Sequence, residues 1–223
     1  MVHVVRKNIK NLNLRVCPPD GEVRVSAPIY VSDNEIRNTI LRKLSWIEKH
    51  QARIQEREPV SKCIMQEGEV HFFLGKTYKL NVIEQRGKHK VEIGQDRELL
   101  LCVRPGTGVE ARQHVINEWY RNEIKALIPA IIEKWEPVIG VKINDWGVKK
   151  MKTRWGTCNI QKARIWLSLE LAKRPVECLE YVVVHEMVHL HERYHNARFK
   201  SYMDSYIPGW RLHHDALNQP QTI

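Results

Sequence analysis

Two histidines and a glutamate sit inside an apolar run at residues 181–190, YVVVHEMVHL. His185 and His189 are four apart. On an α-helix they lie one turn above each other on one face, and both can aim a ring nitrogen at a single point. A zinc ion about 2.0–2.1 Å from each nitrogen satisfies that geometry. Glu186 is rotated about 100° from His185, too far round for a natural ligand but close enough to hold a water on the metal. Two ligands and one general base is the division of labour in H-E-x-x-H hydrolases. Such groups are costly to bury unpaired, so Val182, Val183 and Val184 just ahead of them argue for a metal rather than a solvated face. With 11 histidines in 223 residues, a chance H-E-x-x-H is a roughly 3% event.

A catalytic zinc takes a third protein ligand and keeps one position open. His195 can return to the metal if the helix ends near Glu192–Tyr194. His191 lies about 200° round from His189 on a continuing helix and points away. His213 and His214 are more distant alternatives on the last helix. A donor to the negative charge of a transition state would come from Arg154, Arg193, Tyr194 or Tyr202. Trp155 and Gly156 read as a tight turn bringing backbone N–H groups near the cleft. Cys158 reads as a small buried hydrophobe.

The elements that must position these groups follow from periodicity and punctuation. VHVV, NLNLRV and EVRVSAPIYV in residues 1–31 alternate as strands, with CPPDG (17–21) as a turn. Ser32-Asp33-Asn34-Glu35 caps a helix carrying Ile36, Ile40, Leu41, Leu44 and Ile47, which runs to about Glu56 ahead of Pro59. EVHFFLG, KTYKLNVIEQ, HKVEIGQ and ELLLCVR predict a small antiparallel meander over 69–104. A long helix follows from about Val109 to Trp135, with Trp119, Tyr120, Ile124 and Ile128 near one face and a break near Ile128 from Pro129. Two strands flank a turn at Asn159–Lys162. Pro175 opens the helix that carries HEMVH, and helices over about Phe199–Tyr206 and from Pro208 to about Leu217 close the chain. The predicted class is α+β. A β-rich N-terminal half with one helix spans 1–105, and an α-dominated domain with its own small sheet spans 106–223.

Composition sets outer limits. The chain is 43% hydrophobic and 28% charged, which describes a globular protein rather than a disordered one. No apolar run approaches the roughly 18 residues of a membrane span. The N-terminus lacks the apolar region of a secretory signal, so cytoplasm is the expected location. Five cysteines without a C-x-x-C fit reduced thiols. The formal net charge of +10 suits a soluble basic surface and leaves room for a nucleotide or nucleic-acid partner. Its densest cluster, Lys149–Arg154 beside Trp155, has the make-up of a phosphate or nucleic-acid patch. Lysines that blunt a strand edge have the same make-up.

Several separate blocks together resemble the YgjP-like metallopeptidase family, which is related to SprT-like and gluzincin-type zinc proteases. They are KKMKTRWGTC (149–158), RIWLSLELAKRPVECLEYVVVHEMVHLHERYHNARF (164–199), MDSYIPGWRLHHDALN (203–218), RKNIKNLNLRVCPPDGEVRVSAP (6–28) and WYR (119–121). The resemblance implies one zinc held by His185, His189 and His195, with Glu186 as the base that activates zinc-bound water. It implies a compact zincin-like (minimal gluzincin) C-terminal domain and a peptide or protein substrate laid along an edge strand, by position Arg164–Leu169. Ile165, Trp166 and Leu167 on that strand, with Arg154 and Trp155, are then the candidate substrate contacts. The family block usually reads TRWGSC, and Asn is frequent where Ser168 and Tyr194 stand here. None of these departures touches a proposed ligand. Two other functions fit the same residues. One is a metal-dependent nucleoside triphosphate pyrophosphatase or other phosphoester or anhydride hydrolase. The other is a DNA-associated binding protein with a structural metal, a role that has no use for Glu186.

Overall fold

Alternating apolar residues over the N-terminal stretch form β1 (Val2–Lys7), β2 (Asn13–Cys17) and β3 (Glu22–Pro28). The computed structural model describes residues 2–17, 20–55, 64–219 and 221. The chain divides into two compact units, Met1–Cys63 and Ile64–Ile223. In the first, β3 is the central strand, parallel to β1 and antiparallel to β2. Its inward residues Val23, Val25 and Ala27 pack with Ile36 and Ile47 into a small core. Helix α1 (Asp33–Arg42) starts at a capping box. The Glu35 N–H donates to Ser32 Oγ at 3.3 Å, and the Ser32 N–H donates to the Glu35 carboxylate at 3.1 Å.

The single helix expected up to Glu56 is two helices. Lys43 leaves helical geometry at φ −104° and ψ 13°, and its N–H closes onto Ile40 O. Helix α2 (Leu44–Gln55) then restarts. The interruption leaves Leu41 and Leu44 exposed while Ile36 and Ile47 both stay inside. Pro59 and Cys63 lie outside the described residues.

In the second unit, β4 (Val70–Phe73), β5 (Lys76–Glu84), β6 (Lys90–Ile93) and β7 (Glu98–Val103) form a sheet in the order β4-β5-β7-β6. This corrects the antiparallel meander, because β5 and β7 pair in parallel. The reason lies in β7. Leu99, Leu101, Cys102 and Val103 are all buried, and a strand apolar on both faces takes a central place. The domain boundary expected between residues 105 and 106 also moves. The sheet shares one core with the helices that follow it, so the compact units part near residue 63.

Helix α3 (Val109–Ile139) continues through Pro129 instead of breaking there. A buried stripe of Ile116, Tyr120, Ile124, Ile128, Ile132, Trp135 and Ile139 holds it against the core despite the lost backbone hydrogen bond. Gly140 ends it at φ +74°. Next come β8 (Asp145–Lys149), β9 (Gly156–Asn159) and β10 (Arg164–Ser168), in the order β8-β10-β9. A 3-10 turn over Leu169–Lys173 leads into α4 (Val176–Val188), α5 (Ala197–Tyr206) and α6 (Trp210–Asn218). Among the described residues no helix is long and apolar enough to cross a membrane. Cys17, Cys102, Cys158 and Cys178 are free thiols.

The β4–β5 turn anchors the start of α4. Leu74 and Gly75 both have positive φ, 46° and 78°, as a two-residue hairpin of the primed type requires. The Leu74 N–H donates to Ala172 O at 2.9 Å. A Cβ at Gly75 would lie 2.7 Å from Pro175 Cγ, at the head of α4. Gly75→Ala is therefore expected to destabilise the fold by about 1–3 kcal/mol, read as a lowered urea midpoint. An unchanged midpoint would show that the turn does not anchor α4.

Candidate metal centre

Helix α4 is apolar almost all round, with Val182, Val183, Val184, Met187 and Val188 buried. That burial seats its last turn deep in the unit and carries His185 and Glu186 with it. His189 follows as the cap residue, still in right-handed helical geometry at φ −61° and ψ −17°, so the one-turn spacing of the two histidines holds. The chain then turns. The Glu192 N–H donates to Val188 O at 3.0 Å, and Asn196 caps α5 by accepting from the Phe199 N–H at 3.0 Å. His195 stands just before that cap, and the turn returns it to the end of α4.

His185, His189 and His195 can each offer a ligand nitrogen, and these atoms lie within 4.8 Å of one another. The Nε2 atoms of His185 and His195 are 3.0 Å apart, near the roughly 3.3 Å expected between two nitrogens on a tetrahedral zinc. His189 Nδ1 lies 3.0 Å from Glu192 O. That contact assigns the ring proton to Nδ1 and leaves Nε2 as a lone pair. His185 is pushed down to about 3 by burial first, then by the neighbouring His189, His195 and His214. Burial also lowers His189 and His195. Three neutral imidazoles converging on one point are the donor set a divalent zinc takes. Phe199 is fully buried beneath all three rings, with centroids at 4.9, 4.8 and 4.7 Å. The sequence reading named it only as the start of a helix.

Glu186 is only 5% exposed. Burial pushes its carboxyl up to about 8, against the opposing pull of the Arg154 charge. Room for it comes from Gly156. A Cβ there would meet Glu186 Oε1 at 2.6 Å and Cγ at 2.8 Å. Gly156 begins β9 rather than forming the tight turn expected of it. Cys158 shares this wall, and burial, with the Glu186 charge adding, pushes its thiol up to about 12.

These groups border a cavity of about 520 Å³, whose walls include Arg154, Trp155, Arg193, His214 and Leu217. Two expected substrate contacts, Arg154 and Trp155, are therefore at the site. Ile165 and Leu167 are not, because both are 0% exposed in the core. Trp166 alternates to the opposite face of the sheet, where its ring covers Gly147 and meets Lys149 and Arg164. The expected edge strand is also corrected. β10 is central, paired in parallel with β8 and antiparallel with β9, and the edge beside Glu186 is β9.

His191 turns away, its Nε2 2.8 Å from Ile139 O. The Tyr202 hydroxyl accepts from Arg198, and its ring packs on His191 and Tyr206. Tyr194 is 67% exposed. His214, named above as a more distant alternative for the third ligand, lines the cavity. The spacing of His214, Leu217 and Asn218 on one face of α6 was the available signal.

No curated protein matches the chain. Among solved structures, the crystal structure of the metallopeptidase zymogen of Pyrococcus abyssi abylysin is similar at 18% identity and a TM-score of 0.38, covering 40% of this chain and 90% of that one. The sequence matches the family described as YgjP-like, metallopeptidase domain, over residues 10–220. A match of that extent places nearly the whole chain inside one family, and the protein belongs to the YgjP-like metallopeptidase-domain family.

Proposed function

We propose that this chain is a zinc-dependent peptidase with a zincin-like core, in which His185, His189 and His195 hold the metal and Glu186 is the base. The observation that carries this reading is the convergence of three neutral imidazoles beside a buried carboxylate. Bound zinc would supply a Lewis acid that acidifies water and polarises a carbonyl. Glu186 accepts a proton from the attacking water at its carboxylate and delivers it to the leaving nitrogen. The free edge of β9 offers backbone hydrogen bonds to an extended peptide, as in strand-addition recognition. That role replaces the one expected of Arg164–Leu169.

The room at Gly156 makes a test of this geometry. Gly156→Ala is expected to lower kcat about 100-fold by displacing the Glu186 carboxylate, with metal content unchanged. Full activity in the variant would remove Glu186 from the chemistry.

A phosphoanhydride hydrolase is the second reading, favoured by Arg154 and Arg193 at the cavity and by the net charge of +10. Zinc-loaded protein incubated with a peptide library and, in parallel, with nucleoside triphosphates separates the two. New peptide termini by mass spectrometry are expected. Phosphate release with intact peptides would overturn the peptidase reading in favour of the second. A chain that is inert on both yet binds DNA would favour a structural metal.

A further inference from the structure

From α3 onward, the arginines of this protein find oxygen partners within the chain. Arg112 reaches Glu84, Arg121 reaches Glu118 and Val148 O, and Arg211 reaches Asp204. Arg174 donates to the carbonyls of Ala216 and Gln219, and Arg198 donates to the Tyr202 hydroxyl. Arg164 lies 3.9 Å from Asp145. Arg154 and Arg193 are the exceptions, and both line the cavity at the metal centre. Among the described residues neither guanidinium donates a hydrogen bond or forms an ion pair. Arg193 only stacks on its neighbour Tyr194, with 5.7 Å to the ring centroid.

The rest of the cavity wall sharpens the point. Among the described residues its single acidic side chain is Glu186, which the proposed chemistry itself uses, and Val182, Leu217 and Trp155 are apolar. A guanidinium is a rigid fork of donors matched to two oxygens. Two such forks stand on different segments, one just before β9 and one in the loop between His189 and His195, and both are exposed, so their donors are free to meet an anion entering the cavity. Among the described residues the cavity's one glycine is Gly156, so it offers no glycine-rich loop of the kind that cradles phosphate chains, which favours a carboxylate.

We propose that Arg154 and Arg193 form a carboxylate subsite, so that the bond cleaved lies next to an acidic residue or a terminal carboxylate of the substrate. This rests on the peptidase reading and names its substrate class. Glu186→Gln protein loaded with zinc is the form to test, since it should bind peptides without turning them over. Calorimetry would compare heptapeptides in which one Glu is moved along the chain with their Gln counterparts, each with a free or an amidated C-terminus, and with tripolyphosphate. At one position the Glu peptide should bind about tenfold tighter or more than the Gln peptide. If the terminal carboxylate is the source, the same gap appears between free and amidated ends. The gap should shrink to within about twofold in Arg154→Ala and Arg193→Ala, with one zinc per chain retained and unfolding midpoints unchanged.

Equal binding of Glu and Gln peptides and of free and amidated ends would overturn the proposal. So would a preference that survives both arginine substitutions, or arginine-dependent binding of tripolyphosphate alone. Arg193→Lys, which keeps the charge without the fork, guards against misfolding as the cause and should recover part of the preference. Failure to take up zinc would overturn the peptidase reading separately, because the arginine dependence of peptide binding is read by heat and not by turnover.

Discussion

Glu186→Gln is expected to cut turnover by about 10²–10⁴-fold while zinc stays at one per chain. The amide keeps the size and shape of the carboxyl, so it occupies the gap left by Gly156 without repacking. It cannot accept the proton that the attacking water must lose. KM should change little, because the peptide recognition proposed for the β9 edge is untouched. A second readout separates a base from a merely structural acid. In chelator-treated protein, the folded carboxyl prefers its proton up to about 8, whereas in the unfolded chain it ionises near 4.5. Ionising it in the fold is therefore a cost that is absent below the unfolded value and grows as pH rises toward 8. Metal-free Glu186→Gln should be more stable than wild type by a few kcal/mol, on the order of the shift times 1.4 kcal/mol, at pH 8. The two should converge near pH 4. Retained turnover in the variant would sink the general-base role, and parallel pH curves would sink its burial as an ionisable group.

Loss of one imidazole is expected to be as severe. His189→Ala removes a proposed ligand at the end of α4, and the purified protein should carry no stoichiometric zinc by mass spectrometry. His195→Ala decides the third ligand. Its ring stands at 3.0 Å from His185, and its removal should lower zinc affinity by at least about 100-fold, more than the loss of an outer-shell partner does. His214→Ala should leave the zinc in place, since His214 lines the cavity without joining the cluster of ligand atoms. If His214→Ala loses the metal and His195→Ala keeps it, the ligand set proposed above is wrong.

Much of this site was legible without coordinates, for a local reason. The spacing of His185 and His189 is a property of any α-helix, and the valines before them announce a buried one. Pro175, the Ser32 capping box and the alternation in residues 1–31 are equally local, and the elements they predict are present. What periodicity could not carry was which strand lies beside which. β5 and β7 pair in parallel because β7 is apolar on both faces. β10 lies inside its sheet because β8 closes on its far side, so Ile165 and Leu167 became core and the exposed edge passed to β9. Pro129 did not break α3, because a buried stripe running from Ile116 to Ile139 holds the helix against the core.

The chemistry divides in the same way. A sequence names residue types and near spacings, and from those came two candidate ligands, a candidate base and a short list of third ligands. The tertiary structure decided what surrounds them. It set Phe199 beneath three imidazoles, made the missing Cβ of Gly156 into space for a carboxylate, and placed Arg154 and Arg193 at the cavity with no hydrogen-bonded side-chain partner among the described residues. Each of these depends on groups far apart in the chain meeting at packing distance. Only the folded core determines such meetings, because burial and pairing energies are summed over neighbours that no local window contains.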